Sequence, residues 1–483
     1  MNKLDTALVT SALKKDGFDQ TDTLADANVV LINTCSVRQH AEERVFSHLG
    51  HLKHARKSNP ALVVAVIGCM AQRLGDELLK HDAVDIVCGP GQLDGLPALI
   101  DQTLEHRAKH LAVSAKIREK MTDENARIME EFELGNDLTE EQLPSQAFVR
   151  AMRGCNKFCT YCVVPYVRGP EASRPPKVII EQLKTLAAQG IKLVTLLGQT
   201  INSYSYTEND DRVAWPEAQR GHVADSKTYR LANLLKMAAE IDGIEWIRFI
   251  TSYPADFDEA IFHAMAELPK VCRYLHIPAQ SGSDRILKAM NRNYTAADYL
   301  ELLAKARQIM PDIAIAGDFI VGFPGETDED FEATIDLLRK AEYKNSFIFK
   351  YSPRPGTHAD KKLEDNISAE IKKHRNMRLL EVQNEISEKY NKRFIGQTVR
   401  VLVEGMSKKA HLDTEGSTPN VSEEEIRESK IKNPKSKIFH PQLIGRTATD
   451  YIVVFNGTES LTGNFADVKV TRTSALTLFG TLE

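Results

Sequence analysis

Residues 147–162 read AFVRAMRGCNKFCTYC and place three closely spaced cysteines directly after an apolar run. The first part, 147–152, is mostly apolar and predicts a buried strand. The second part places Cys155, Cys159 and Cys162 at the spacing C-x3-C-x2-C. The chain has seven cysteines, and an odd number is a poor disulfide set. The clustering therefore predicts a metal centre at the carboxyl end of a strand.

Three thiolates on one loop can bind three irons of a cubane [4Fe–4S] cluster and leave the fourth iron without a protein ligand. That iron can bind the amine and carboxylate of S-adenosylmethionine (SAM), and an electron from the cluster can then release a 5′-deoxyadenosyl radical. We expect Phe158 and Tyr161 to shield such a cluster from water. A structural zinc site is the alternative, but it needs a fourth ligand and no histidine lies nearby in the sequence.

On both sides of this loop, short apolar runs alternate with amphipathic stretches, which is typical of α/β folds. Residues 1–112 predict a parallel α/β domain, and residues 113–145 predict a linker with some helix. Six strand–helix steps in 146–393 predict a partial (β/α)6 barrel that ends in a basic helix. Residues 394–483 predict a small β-barrel with an insertion at 411–438.

The composition is that of a soluble globular protein, with 42% hydrophobic and 27% charged residues among 483. Such a length predicts two to four domains. The sequence contains neither a long apolar run nor a signal-peptide core, so we expect a cytoplasmic location and no membrane contact. A net charge of -5 does not indicate nucleic-acid binding. The basic helix at 367–393 is either a solvated face or a contact for RNA phosphates.

The chain resembles the methylthiotransferase family of radical-SAM enzymes through segments that span nearly its whole length. These segments are NTCSVR (33–38), GCMAQ (68–72), RGCNKFCTYCVVPYVRG (153–169), SRP (173–175), LLGQ (196–199), QSGSDRIL (280–287), DFIVGFPGET (318–327) and YSPRPGT (351–357). The resemblance implies an N-terminal cluster domain, a radical-SAM barrel and a C-terminal TRAM barrel that binds RNA. It is strongest to the branch of the family that acts on N6-isopentenyladenosine at tRNA position 37.

Cys35 and Cys69 each follow a predicted strand and precede a helix, whose N–H groups favour a thiolate. The resemblance implies that they bind an auxiliary [4Fe–4S] cluster, which supplies sulfur and has three cysteine ligands. The first family cysteine lies in a Gly-Cys-Gln-Met-Asn segment, whereas this sequence begins at Met1 with MNK. We expect a longer natural chain; alternatively, the protein lacks this ligand. Cys88 could replace it, but we expect Cys88 and Cys272 to pack in the core.

Polar residues at the carboxyl ends of barrel strands are candidates for binding SAM. The predicted SAM-binding residues are Gln199, Ser252, Gln280 and Gly322. The three polar side chains suit the amino-acid and ribose groups, and the glycine would let the adenine approach the backbone. Arg168 and Arg174 flank the cysteine loop, where they would meet the SAM carboxylate or an RNA phosphate, or form structural ion pairs.

The resemblance implies methylthio transfer to tRNA, with one SAM donating a methyl group to sulfur and another giving the radical. The implied partners are the tRNA anticodon stem-loop, an electron-donor protein and a sulfur source, and we expect a monomer. Alternatives within the enzyme class are a methylthiotransferase for threonylcarbamoyl-adenosine in tRNA or for a ribosomal-protein aspartate. A non-catalytic iron–sulfur RNA-binding protein or redox sensor is an alternative of a different class.

Overall fold

A computed structural model describes residues 1–34, 39–119, 122–135, 145–208, 227–407 and 441–483. The chain forms two compact units. The first contains residues 1–142 and 146–383, and the second contains residues 384–483 together with 143–145. The predicted insertion 411–438 and Cys35 lie outside the described residues.

The N-terminal part of the first unit contains a parallel four-stranded sheet in the order β1-β2-β3-β4. Its strands are β1 (Val29–Thr34), β2 (Val63–Gly68), β3 (Ile86–Cys88) and β4 (His110–Ala112). Its helices are α1 (Asn2–Lys15), α2 (Gln39–Ala55), α3 (Cys69–Leu74), α4 (Asp76–Leu79), α5 (Leu96–His106) and α6 (Asp123–Leu134). All six residues of β2 are buried, and the first five alternate between two apolar clusters, one on each face of the sheet.

Six parallel strands follow in chain order and form the barrel: β5 (Gln146–Arg150), β8 (Leu193–Leu197), β11 (Trp246–Ile250), β12 (Tyr274–His276), β13 (Ala314–Val321) and β14 (Asn345–Lys350). They pair as two three-stranded sheets. A hydrogen bond from Ser252 N to His276 O, 3.1 Å long, connects the ends of β11 and β12. The predicted partial barrel is therefore confirmed.

Helices and short strands connect these barrel strands. The helices are α7 (Val164–Val167), α8 (Pro176–Ala188), α9 (Leu231–Ala239), α10 (Glu259–Glu267), α11 (Asp284–Ala289), α12 (Ala296–Ile309), α13 (Asp328–Ala341), α14 (His358–Lys362) and α15 (Ala369–Asn391). The short strands are β6 (Met152–Arg153), β7 (Ala172–Ser173), β9 (Ser205–Thr207) and β10 (Thr228–Arg230). Hydroxyl side chains begin several helices: Thr295 and Thr327, for example, accept from the third backbone N–H of α12 and α13.

The second unit contains a closed five-stranded barrel in the order β15-β16-β17-β19-β18. Its strands are β15 (Thr398–Met406), β16 (Gln442–Thr447), β17 (Ile452–Asn456), β18 (Phe465–Thr473) and β19 (Thr477–Leu482). Closure pairs every strand on both sides, which removes free edges. None of the helices within the described ranges has the length and apolar character needed to cross a bilayer.

Candidate functional site

The cysteine loop begins after β6 at a point where only glycine fits. Gly154 has φ +67°, and a Cβ atom there would overlap the carbonyl oxygen of Pro170. The two chain segments approach this closely because β6 and β7 pair antiparallel across the loop. Cys155 N also donates to Gly169 O at 3.1 Å. A side chain at residue 154 would therefore separate the two strands that hold the first cysteine in place.

The other side of the loop is fixed by the barrel helices. Thr160 N donates to Met290 O at 3.0 Å, and Thr160 Oγ1 donates to Ala289 O at 2.9 Å. Thr160 O accepts from Ala359 N at 2.8 Å. Thr160 thus makes three hydrogen bonds to two other segments of the barrel. The loop geometry is therefore set by long-range contacts rather than by its own sequence alone.

The three thiols suit a cationic cluster. Cys155 and Cys159 are buried and Cys162 is partly buried. Burial raises the pKa of the Cys155 thiol to about 11 and also raises that of Cys162, so a nearby positive charge is needed to favour their thiolates. Iron supplies such a charge. Arg292 Nη1 lies 3.3 Å from Cys159 Sγ, and Val164 N lies 3.4 Å from Cys162 Sγ, as donors to cluster sulfurs do.

In the described part of the chain, no group of three His, Cys, Asp or Glu side chains is arranged to hold a single metal ion. A cubane needs a different spacing, because each of its cysteines binds a different iron.

The aromatic neighbours of the loop differ from the expectation that both Phe158 and Tyr161 shield a cluster from water. Tyr161 packs edge-on against Phe323, with ring centroids 6.4 Å apart, whereas Phe158 points outward and is 39% exposed. Only Tyr161 is therefore placed in the apolar surroundings of the loop.

Two of the predicted SAM-binding side chains carry unused acceptors. Gln199 Oε1 and Ser252 Oγ are buried without a hydrogen-bond partner among the described residues. An unpaired buried polar atom is costly, so a bound polar group would satisfy both. Gln280 is buried at φ +72°, and its backbone N–H donates to Asp318 O at 2.8 Å. These features fit the amine and hydroxyl groups of SAM, and the assignment of the three residues remains a prediction.

Gly322 serves a packing role that the sequence did not indicate. A Cβ atom there would collide with the side chain of Lys372 in α15. Gly322 N donates to Glu326 Oε2 at 2.6 Å, and that carboxylate also accepts from Arg375 at 2.7 Å. Lys372 is itself paired with Asp365. Lys372 and Arg375 of the predicted basic helix are therefore buried ion-pair partners instead of solvated or phosphate-binding cations.

Cys69 lies directly beside the cysteine loop. It is the first residue of α3, is buried, and packs with Val163 and Val167, which follow Cys162. Thr34 and Gly68 are paired across β1 and β2, so the residues that precede Cys35 and Cys69 are neighbours. Cys35 itself lies outside the described ranges.

A buried ion network connects Cys69 to the barrel. Arg168 Nε donates to Cys69 Sγ at 3.2 Å, and Arg168 Nη2 donates to Asp5 Oδ2 at 2.6 Å. Asp5 also pairs with Arg150 of β5, which pairs in turn with Glu133 of α6. Burial alone would raise the pKa of Asp5, but the charges of Arg168 and Arg150 outweigh it and hold this pKa below its ordinary value.

Arg174 also forms a buried ion pair with a carboxylate of α6, because its Nε donates to Glu130 Oε1 at 2.6 Å. Of the interpretations left open for Arg168 and Arg174, structural ion pairing is the one that the structure bears out. Sequence reasoning missed Asp5, Glu133 and Arg292. An available signal was Arg150, since an arginine inside an otherwise apolar strand requires buried acidic partners.

Cys88 and Cys272 are core residues. Cys88 is fully buried in the apolar cluster under β2, and its thiol donates to Gln92 O at 3.2 Å. Burial raises its pKa to about 12. Cys272, at the start of the segment leading to β12, is buried as well. A neutral, hydrogen-bonded thiol is the expected state of a packing cysteine.

Three family models match the chain. The Radical SAM superfamily matches residues 149–338, the uncharacterized protein family UPF0004 matches residues 1–89, and the TRAM domain matches residues 435–482. The first of these ranges contains the cysteine loop, the second contains Cys69, and the third contains most of the closed barrel.

Curated relatives are similar over nearly the whole chain. A tRNA-2-methylthio-N(6)-dimethylallyladenosine synthase of Rhodopirellula baltica is 40% identical, covering 99% of this chain and 93% of that protein. The enzyme of the same name from Parabacteroides distasonis is 36% identical with the same coverage. One from Janthinobacterium sp. is 41% identical over 87% of this chain and 88% of that protein.

Among solved structures, the radical S-adenosylmethionine methyltransferase TsrM from Kitasatospora setae, with cobalamin and a [4Fe-4S] cluster bound, has a similar fold. The TM-score is 0.51 at 16% identity, covering 74% of this chain and 73% of that chain. At this identity the similarity concerns the fold alone.

Proposed function

Because the chain belongs to the family of tRNA-2-methylthio-N(6)-dimethylallyladenosine synthases, we propose that it transfers a methylthio group to carbon 2 of N6-dimethylallyladenosine at position 37 of tRNA. The structural observation that carries the proposal is the contact between two thiol sites. Cys69 packs against Val163, the residue that follows the last cysteine of the loop. A sulfur-donating site and a radical-generating site must be close if both act on one base.

Cys155, Cys159 and Cys162 would hold the [4Fe–4S] cluster of a radical-SAM enzyme. When bound, this cluster supplies the electron that cleaves SAM. The chain itself contributes the geometry. The strand crossing at Gly154 fixes the loop, and Arg292 orients the Cys159 sulfur. The unpaired acceptors of Ser252 and Gln199 suit donors of the SAM amine and ribose.

Cys35 and Cys69, with a third ligand, would hold a second cluster that supplies the sulfur. Arg168 would orient the Cys69 thiolate by its charge-assisted hydrogen bond and would neutralise part of its charge. The first cluster would have to be reduced and the second would have to be refilled with sulfur. The further partners that we propose are therefore an electron-donor protein and a sulfur source.

The substrate would be engaged as an anticodon stem-loop. Its target base is already single-stranded, and unstacking such a base costs roughly a few kcal/mol. The closed barrel of the second unit matches the TRAM domain and supports an RNA-binding role for that unit. The target base must then reach the cysteine loop of the first unit.

The test is anaerobic reconstitution with iron and sulfide, followed by reaction with reductant, SAM and N6-dimethylallyladenosine-containing tRNA. Mass spectrometry of the digested tRNA should show 2-methylthio-N6-dimethylallyladenosine. The Cys155→Ala, Cys159→Ala and Cys162→Ala triple variant should yield none. Transfer instead to threonylcarbamoyl-adenosine or to a ribosomal-protein aspartate would assign another substrate. Binding of tRNA without any cleavage of SAM would indicate a sensor and refute the enzyme assignment.

A further inference from the structure

Two exposed rings lie next to each other at the cysteine loop: Phe158 within the loop and Tyr166 just after it. Together with Arg118, which contacts Phe158, they are called the aromatic patch here. Phe158 is 39% exposed and Tyr166 is 46% exposed. Their rings meet edge to face with centroids 6.2 Å apart. The Arg118 guanidinium lies 4.7 Å from the centre of the Phe158 ring. Two large rings that contact each other and stay open to solvent are unusual, because apolar side chains that can be buried normally are.

The patch is held in place rather than left mobile. Phe158 adopts φ +49°, a left-handed conformation that is uncommon for a residue other than glycine. Asn291 Nδ2 donates to Phe158 O at 3.0 Å, and Arg118 Nη1 donates to Cys155 O at 3.3 Å. Arg118 Nη2 donates to Asn156 Oδ1 at 3.0 Å. Several contacts thus support an unfavourable backbone conformation that turns an apolar ring outward, which points to a role for the ring at the surface.

The location and chemistry of the patch match an RNA base. Phe158 lies between the first two cysteines of the loop, and Tyr166 lies in α7, just after the third. The patch therefore borders the loop that a substrate base has to approach. Proteins bind unpaired nucleotides by stacking bases on aromatic rings and guanidinium planes, with positive charge for the phosphates. The patch supplies both chemical groups.

We propose that the aromatic patch stacks against an unpaired nucleobase of the anticodon loop that neighbours the target adenosine. This inference rests on the proposed function, since it takes tRNA as the substrate. The patch would position the loop while the target base is displaced toward the cysteines. An electron-donor protein could also dock near the cluster. However, the patch has only two rings, and its arginine is hydrogen-bonded to the polar, exposed Asn156, which suits a single base better than a protein surface.

The test compares the affinity of tRNA for Tyr166→Ala, Phe158→Leu and Phe158→Trp with that of the wild type, using reconstituted full-length protein. Phe158→Leu keeps apolar bulk and removes the aromatic face, whereas Phe158→Trp enlarges that face. Stacking on one base predicts that Tyr166→Ala and Phe158→Leu raise the Kd about fivefold to a hundredfold, and that Phe158→Trp stays within about twofold of the wild type. The control is Phe46→Ala, which removes an equally exposed ring from α2 and should leave the Kd unchanged.

Each outcome separates this inference from the proposed function. Wild-type protein that fails to methylthiolate tRNA would refute the function, whatever the variants do. Active wild-type protein together with unchanged Kd values for both Tyr166→Ala and Phe158→Leu would overturn the stacking role. If Phe158→Leu also loses iron, Tyr166→Ala alone decides, because Tyr166 lies outside the cysteine spacing. A product defect that appears with a protein donor and disappears with dithionite would identify a docking site for the donor and overturn the proposal.

Discussion

Glu133→Gln should loosen the N-terminal helix and α6 from the barrel. Glu133 is fully buried, pairs with Arg150 and lies 3.2 Å from Arg153 Nη2. Gln keeps the shape but removes the charge, which leaves Arg150 with Asp5 alone and takes away the carboxylate that Arg153 contacts. Breaking a buried pair in this way costs about 3 to 5 kcal/mol. We expect this loss of stability to appear as more frequent local opening of α1 and α6. Arg150 of β5 pairs with Asp5 of α1 and with Glu133 of α6, so both helices depend on these ion pairs.

Hydrogen exchange followed by mass spectrometry measures this directly on peptides covering residues 2–15 and 123–134. A loss of about 3 to 5 kcal/mol predicts amide exchange faster by about a hundredfold to several thousandfold there, with β2 unaffected. Glu131→Gln is the matched control, because Glu131 lies on the same helix, is 70% exposed and pairs only loosely with Arg127. An exposed pair contributes about 0 to 1 kcal/mol. Equal exchange in Glu133→Gln and Glu131→Gln would refute the importance of the network.

Three further outcomes are expected. Gly154→Ala should abolish iron binding by the cysteine loop, whereas Gly50→Ala, which meets open space in α2, should leave the iron content unchanged; equal iron in both would contradict the strand-crossing argument. Cys69→Ser should remove the iron of the second cluster and leave that of the first, while Cys88→Ser should keep both, and iron counts with electron paramagnetic resonance can decide. The charges of Arg168 and Arg150 hold the folded-state pKa of Asp5 below its ordinary value. The ionised Asp5 should therefore stabilise the fold above about pH 4, and this stabilisation should be lost as the pH falls below that value. Unfolding midpoints measured across the acid range would show the loss.

Strand positions could be predicted from the sequence where apolar runs are long enough to be buried on both faces. The apolar runs 62–68 and 246–250 predict strands, and β2 and β11 lie within one residue of these runs. The short edge strand β4 was not predicted, since HLA carries no periodic pattern of its own and depends on pairing with β3. Strand β19 was missed for the same reason, because closure of the second barrel selects TLFGTL as a strand.

The candidate site could be predicted only as far as local spacing reaches. The cysteine loop and its location after β5 follow from the sequence. The contact of Arg292 with Cys159 joins residues 133 positions apart, and that of Arg168 with Cys69 joins residues 99 positions apart. Neither contact has a local signature, since both depend on how the barrel closes around the loop. Residues 113–145 were predicted as a linker with some helix, and α6 is a helix of that segment. The burial of its Glu130 and Glu133 was not predicted, because it depends on arginines of the barrel that require counter-ions.

The proposed function requires that Cys155, Cys159 and Cys162 hold a cluster with an open iron for SAM. The most direct test is the formation of 5′-deoxyadenosine by anaerobically reconstituted protein given dithionite and SAM. We expect 5′-deoxyadenosine from the wild type and none from single Cys→Ala variants at these three positions, with Cys272→Ala unchanged as the buried control. Intact SAM in the wild-type reaction despite a fully loaded cluster, or equal cleavage after removal of a loop cysteine, would contradict the account.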